Sequence, residues 1–256
     1  MKFLSFILLS CSLVIGLQAQ DQGLQIAQKA HDLDEGYGSY QVNLKMILKN
    51  ANGQESTRLM SSKTFEVQED GDKSLISFME PKDVKGTSML TYSHKKGSDD
   101  QWLFLPSIKR VKRISSNNKS GPFMGSEIAY EDLGSQEVEK YTYKYIEASE
   151  LNGSKVAIVE RYPVDRKSGY SKHKVYFNLD QQHRIEKIEF YDRKGTLLKV
   201  MDYLNYQLYK DKHWRAAKIQ VVNNQSKKET QLLFDNYDFE TALKENNFTQ
   251  NSLRRN

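Results

Sequence analysis

From Tyr40 onward the chain alternates. Tyr40, Val42, Leu44, Met46 and Leu48 are apolar, and Gln41, Asn43, Lys45 and Lys49 between them are polar. A period of two marks a strand with one buried and one wet face. Asn50-Ala51-Asn52-Gly53 reads as a turn, because Asn and Gly tolerate positive φ. A second strand follows over 55–68, with Leu59, Phe65 and Val67 on one side. Glu69-Asp70-Gly71-Asp72 turns the chain into a third over 74–79, which Pro81 ends because proline donates no ladder hydrogen bond. The same grammar resumes after Leu133. Tyr141, Tyr143 and Tyr145 alternate, then Val156 and Ile158 on to Tyr162, then Val175, Phe177 and Leu179. Segments 184–191, 196–209, 214–222 and 229–239 complete a meander joined by short turns such as Asp192-Arg193-Lys194-Gly195. The pattern predicts a mainly β chain: a large antiparallel sheet or incomplete barrel of about ten or eleven strands. No βαβ alternation points to a doubly wound fold, and no fixed period points to a repeat array.

Helical signals are few. Residues 21–33 carry Leu24, Ala27, Ala30 and His31 on one face, with Gly36 and Gly38 as stops. A short helical turn is expected around 107–116. Before the first helix lie Lys2, an apolar run over 3–17 and Leu17-Gln18-Ala19, the layout of a cleavable secretory signal over 1–19. One domain then spans 20–256. A retained membrane anchor is the bland alternative. Leu8-Leu9-Ser10-Cys11 is lipobox-like, but the apolar run ahead of Cys11 is short and continues past it, so cleavage near Ala19 is favoured. Cys11 is the single cysteine, so cleavage leaves no disulfide and no thiol chemistry.

One stretch breaks the alternation. Between Phe78 and Leu133, loops, prolines (Pro81, Pro106, Pro122) and apolar residues are mixed, the kind of region where binding residues concentrate. Its blocks PKDVKGTSML, DDQWLFLPSIKRVKRI and GPFMGSEIAYEDL resemble, in order and spacing, the signature of the bacterial outer-membrane lipoprotein-sorting family, the relatives of the lipoprotein carrier LolA. The resemblance implies a strongly curved, incomplete barrel closed by helical segments, with an apolar interior that receives acyl chains. Export by the signal segment implies a periplasmic protein, and a monomer with no cofactor is expected. The expected partners are a lipid or lipoprotein, an inner-membrane transporter of the lipoprotein-releasing or resistance–nodulation–division type, and an outer-membrane acceptor.

Within that stretch, Trp102 and Phe104 alternate with Leu103 and Leu105, so one pair faces the concave side. On a helical turn Arg110 and Arg113 would share a face. From there they would bridge to Glu127, Glu131 and Asp132 or meet the polar end of a bound lipid. Phe123 and Met124, between Gly121, Pro122 and Gly125, read as a hinged apolar lid. With Tyr130, these residues form the candidate cargo site.

Charge changes this picture little. There are 38 basic and 33 acidic residues, a net +5, and they are interspersed, which describes a solvated surface. The exception is KRVKR over 109–113, which suits phosphate head groups or an acidic partner. No zinc-finger, helix-turn-helix or aromatic RNA-binding pattern speaks for nucleic acid. The five histidines (31, 94, 173, 183 and 213) form no HExxH, and neither a GxSxG elbow nor a phosphate loop is present. Asp99-Asp100 and the Glu127, Glu131, Asp132 group read as surface turn charges. The function expected is therefore a non-enzymatic carrier. A docking module with a filled interior and a hydrolase using Glu131 stand as alternatives.

Overall fold

The computed structural model describes residues 4–254, with side chains from residue 18 onward. The lipobox-like Cys11 and most of the expected signal segment thus fall where no side chain is described. Helix α1 (Leu4–Asp34) comes first. Six strands follow: β1 (Ser39–Lys49), β2 (Glu55–Phe65), β3 (Lys73–Glu80), β4 (Ser88–Tyr92), β5 (Asp100–Leu105) and β6 (Arg110–Ile114). After a long crossing segment come seven more: β7 (Tyr141–Leu151), β8 (Ser154–Pro163), β9 (Tyr170–Asn178), β10 (Ile185–Asp192), β11 (Leu197–Tyr209), β12 (His213–Asn223) and β13 (Glu229–Asp238). All pair antiparallel in one curved, unclosed sheet, ordered β6-β5-β4-β3-β2-β1-β13-β12-β11-β10-β9-β8-β7. Two meanders are joined through β1 and β13, where Leu44 faces Phe234 and Met46 faces Leu232.

The alternation in β1 places Leu44 and Met46 on the inner face. There they join Met60, Phe78, Met89 and Leu103 of the first meander. The second meander contributes Val159, Val175, Phe177, Ile188, Phe190 and Val221 to an adjoining inner cluster. A third cluster lies on the outer face of the first meander. There Leu75, Leu90, Trp102, Phe104 and Val111 are covered by the C-terminal tail through Phe248 and Leu253, both fully buried.

Two pieces cover the inner face. The first is a strap, residues 115–140, which crosses from β6 to β7 through 3₁₀ turns at Phe123–Gly125, Tyr130–Asp132 and Val138–Lys140. Its acidic residues are anchors, which corrects their reading as surface turn charges. Asp132 pairs with Lys199 at 2.5 Å, the two side chains 5% and 3% exposed. Tyr170 donates to Asp132 at 2.9 Å. The Ser168 hydroxyl and the Gly169 N–H each donate to Glu131 at 2.8 Å, and Asn223 donates to Glu127 at 2.5 Å.

The second cover is α1, which runs against β7. A Cβ on Gly23 would lie 2.7 Å from the Tyr145 backbone nitrogen, so the helix meets the strand backbone to backbone. This shifts the buried face from the expected one: Gly23, Ala27 and Ala30 face the sheet, while Leu24 is 41% exposed. The expected turn over 107–116 is likewise corrected. A single 3₁₀ turn, Pro106–Ile108, leads into β6. On a strand, residues three apart point to opposite faces, so Arg110 and Arg113 diverge. Arg113 pairs with Asp100, its diagonal neighbour on β5, rather than with the strap.

The sheet has open edges at β6 and β7. Loops bridge the gap between the meanders. Lys119 meets Asp165 at 2.8 Å, Ser98 donates to Asp165 at 2.8 Å, and Lys140 meets Asp99 at 2.7 Å.

Removing one member of a buried ion pair strands the other in a medium that cannot solvate it. Lys199→Met is therefore expected to destabilise the protein by roughly 3–5 kcal/mol, measured by urea denaturation against the parent chain.

Candidate functional site

The strap fills the space over the first meander. Phe123 is 1% exposed and packs on Phe78 and Tyr130 with ring centroids 5.7 and 5.8 Å apart. The Phe123 N–H donates to the Ile128 carbonyl at 2.7 Å, and the Ser126 hydroxyl donates to the Phe123 carbonyl, also at 2.7 Å. Met124 adopts φ 49° beside Gly125 at φ 78°, and its carbonyl accepts from Arg58. This loop is tied at several points.

Space remains at the other end. A cavity of about 440 Å³ lies between α1 and the second meander, within the size range of small-molecule sites. Ala27, Ala30 and Leu33 of α1 line one side. Phe177, Ile185, Tyr203, Tyr206, Trp214 and Ile219 line the other, with Tyr37, Tyr40, Tyr143 and Tyr237 around them. Three arginines among the described residues also line it, and each lies over aromatic rings. Arg161 is 4.3 Å from the Tyr141 ring centre. Arg184 is 4.3 Å from Tyr206 and 4.6 Å from Trp214. Arg215 is 5.2 Å from Tyr37 and 5.4 Å from Tyr40. A guanidinium is weakly hydrated and stacks on aromatic faces, so it can line an apolar space where an ammonium would hold water.

Alternation explains how Arg161 comes inside. In β8 it follows Ala157 and Val159 on the inward positions, opposite His173 of β9. Arg161 Nε donates to His173 Nδ1 at 3.0 Å, and Nη2 donates to Gln136 Oε1 at 2.6 Å. Because arginine only donates, Nδ1 accepts and the His173 ring proton sits on Nε2. That Nε2 is buried without a partner. Burial holds the imidazole pKa well below its usual range, and the Arg161 and Lys199 charges push the same way. Arg184 and Arg215 are neutralised, by Glu186 at 2.9 Å and Asp34 at 2.5 Å.

Acidic residues also line the cavity. Asp34, Glu35, Glu66, Asp70 and Asp72 line it from the end of α1 and from the turn between β2 and β3, and the buried Glu137 lines it from the strap. Burial raises the Asp72 carboxyl to about 6, against the hydrogen bond donated by Tyr37 and with the help of Glu137 and Glu66. Among the described residues, no group of His, Cys, Asp or Glu could hold a metal ion.

None of the seven residues expected to bind cargo lines this cavity. Trp102 and Phe104 lie on the outer face beneath the C-terminal tail. Phe123, Met124 and Tyr130 belong to the filled half of the interior. Arg110 is exposed, and Arg113 is tied to Asp100. The structure thus brings three of the seven together and separates the rest. The residues that do line the cavity left one readable signal: an arginine on an inward position of the apolar run Val156-Ala157-Ile158-Val159-Glu160-Arg161.

Comparison with known proteins agrees with this architecture. A family model described as an uncharacterized protein matches residues 70–255. The crystal structure of an outer membrane lipoprotein-sorting protein domain from Vibrio parahaemolyticus shares 50% identity with the chain. It superposes with a TM-score of 0.90, covering 92% of this chain and 100% of that one. The chain belongs to the outer membrane lipoprotein-sorting protein family. Two more distant structures share the fold of this lipoprotein-sorting family. A DUF1329 family protein from Desulfovibrio piger is 23% identical with a TM-score of 0.86, covering 92% of this chain and 99% of that one. A LolA superfamily protein from Nitrosomonas europaea is 21% identical with a TM-score of 0.71, covering 89% and 97%. No curated protein sequence matches the chain.

The Asp72 shift fixes a sign. A carboxyl whose pKa is higher folded than unfolded binds its proton more readily when folded, so folding is favoured as pH falls from about 7 through 6 toward 4. Asp72→Asn mimics the protonated form. The variant is expected to melt higher than the parent at pH 7.5 and to converge with it near pH 4.5, read as the difference in Tm across that range.

Proposed function

We propose that this member of the lipoprotein-sorting family is a periplasmic carrier. It takes an acyl chain into the cavity beneath α1 and holds it out of water until a partner removes it, with no covalent chemistry. The observation that carries the reading is the cavity itself: about 440 Å³, faced by aliphatic and aromatic residues, in a sheet whose other half is filled. Export by the expected signal segment places the protein in the periplasm. The absence of any described helix long and apolar enough to cross a membrane is compatible with this. Each buried methylene contributes roughly 0.8 kcal/mol, so even part of an acyl chain binds usefully.

Delivery requires a partner that favours the empty form or holds the chain more tightly, since a ligand shifts states only by differential binding. An inner-membrane transporter of the lipoprotein-releasing or resistance–nodulation–division type is the donor in this reading, and an outer-membrane protein the acceptor. The exposed basic residues Lys109, Arg110 and Lys112 give such a membrane-facing partner an electrostatic handle.

Native mass spectrometry of the protein purified gently from the periplasm is expected to show a stoichiometric lipid or acylated peptide, named by organic extraction. A clean apo mass together with no uptake of added fatty acid or apolar dye would overturn the carrier reading and favour a docking module.

Ala30→Trp should fill the space beside α1. It is expected to weaken dye uptake at least tenfold while leaving the far-ultraviolet circular dichroism unchanged.

A further inference from the structure

The cavity does not treat its three arginines alike. Arg184 and Arg215 each have a carboxylate partner. Arg161 is buried to 3% exposure and bonds only neutral groups, His173 and Gln136, so among the described residues it forms no ion pair. Its Nη1 has no protein acceptor among them. Tyr203 lines the same cavity, and its hydroxyl also has no hydrogen-bond partner among the described residues. Glu137, the acid nearest in sequence to Gln136, is turned to the Ser135 hydroxyl at 2.5 Å. A buried cation without a counter-charge is expensive. A guanidinium with a free N–H edge, in a cavity that also holds a phenol without a partner, is a ready receptor for an oxyanion.

We propose that Arg161, with Tyr203, receives the oxyanion head of a single-chain amphiphile whose alkyl chain lies along the aromatic and aliphatic wall of the cavity. The head is a carboxylate or a phosphate monoester. This deepens the carrier reading and rests on it: the acyl chain supplies affinity, and Arg161 sets charge selectivity and orientation. Burying the charged head is offset because it neutralises a charge the fold already buries. An uncharged head of the same length leaves Arg161 as it was and must itself be desolvated.

The test compares three ligands of equal chain length on the full mature protein by isothermal titration at low salt: palmitate, hexadecyl phosphate and hexadecanol. At least one oxyanion is expected to bind ten times more tightly than the alcohol or better. Whichever oxyanion binds more tightly identifies the head. In Arg161→Gln that preference should fall to within about twofold while hexadecanol binding is kept. Tyr203→Phe should reduce it in part. The wild-type comparison stands alone should Arg161→Gln fail to fold. Equal affinity for all three ligands in the wild type would overturn the inference and leave the carrier reading intact. Binding of none of them would overturn both.

Discussion

The Lys199–Asp132 pair stands where the strap crosses the sheet, and the arrangement of the interior depends on it. Asp132 belongs to a 3₁₀ turn of the strap and Lys199 to β11. Tyr170 of β9 donates to the same carboxylate, and the Lys199 ammonium also donates to the Glu127 carbonyl at 2.8 Å while lying 4.9 Å from the Phe190 ring. A charge pair this deep is a poor source of net stability, because desolvation offsets most of the attraction. Its effect is positional. With the partners fixed, only one path of the strap satisfies both charges. That path puts Phe123 over the first meander and leaves the second meander to α1. One half of the interior is thereby filled and the other half is left for a ligand.

The meander was legible because alternation depends only on which residues face water. The two ends of the pattern were harder. In β6, Arg110, Lys112 and Arg113 are exposed, while Val111 packs into the outer cluster and Ile114 into the inner one. An edge strand with two apolar positions among three basic ones looks like a basic loop until its pairing with β5 is seen. In α1 the face toward the sheet is chosen by size rather than hydrophobicity. Gly23 is the residue that lets the helix approach β7, and Leu24 beside it is left outside. Alternation also says that Trp102 and Phe104 share a face without saying which face is inward. The C-terminal tail decides that, more than a hundred residues away, by covering them with Phe248 and Leu253. The cavity was the least legible part. Its lining comes from α1, the strap and most strands of the second meander, so no local run announces it.

The chemistry of that lining differs from a simple greasy pocket. Apolar burial is non-directional and grows with the area removed from water, so it holds an alkyl chain without orienting it. Orientation comes from the few polar groups that interrupt the wall. Here those groups are guanidiniums laid on aromatic rings, a combination that stays partly desolvated without a shell of bound water. The acidic residues of the lining come from the end of α1, the turn after β2 and, with Glu137, the strap. Most of these acids have partners of their own, and Arg161 is the lining arginine without an ion pair among the described residues. Such a lone guanidinium discriminates among amphiphiles by the head they carry, while the aromatic wall tolerates differences in the chain.

The two covers of the inner face also differ in how firmly they are held. The strap buries Phe123, Ile128 and Val138 and is tied by buried carboxylates. Opening it would expose large apolar side chains and separate charges inside a low-dielectric interior, costs that add. The described part of α1 buries mainly Gly23 and Ala27, with Ile26 and Ala30 half-buried. Its polar ties at the cavity end, Asp34 with Arg215 and the Lys212 ammonium with the Glu35 carbonyl, involve exposed or half-exposed groups, and such pairs are individually weak. Displacing α1 therefore removes less packing and breaks weaker electrostatic contacts than displacing the strap. A ligand entering beneath α1 replaces the contacts of two alanines with those of its own methylenes, so opening the helix side costs least where the incoming chain restores most.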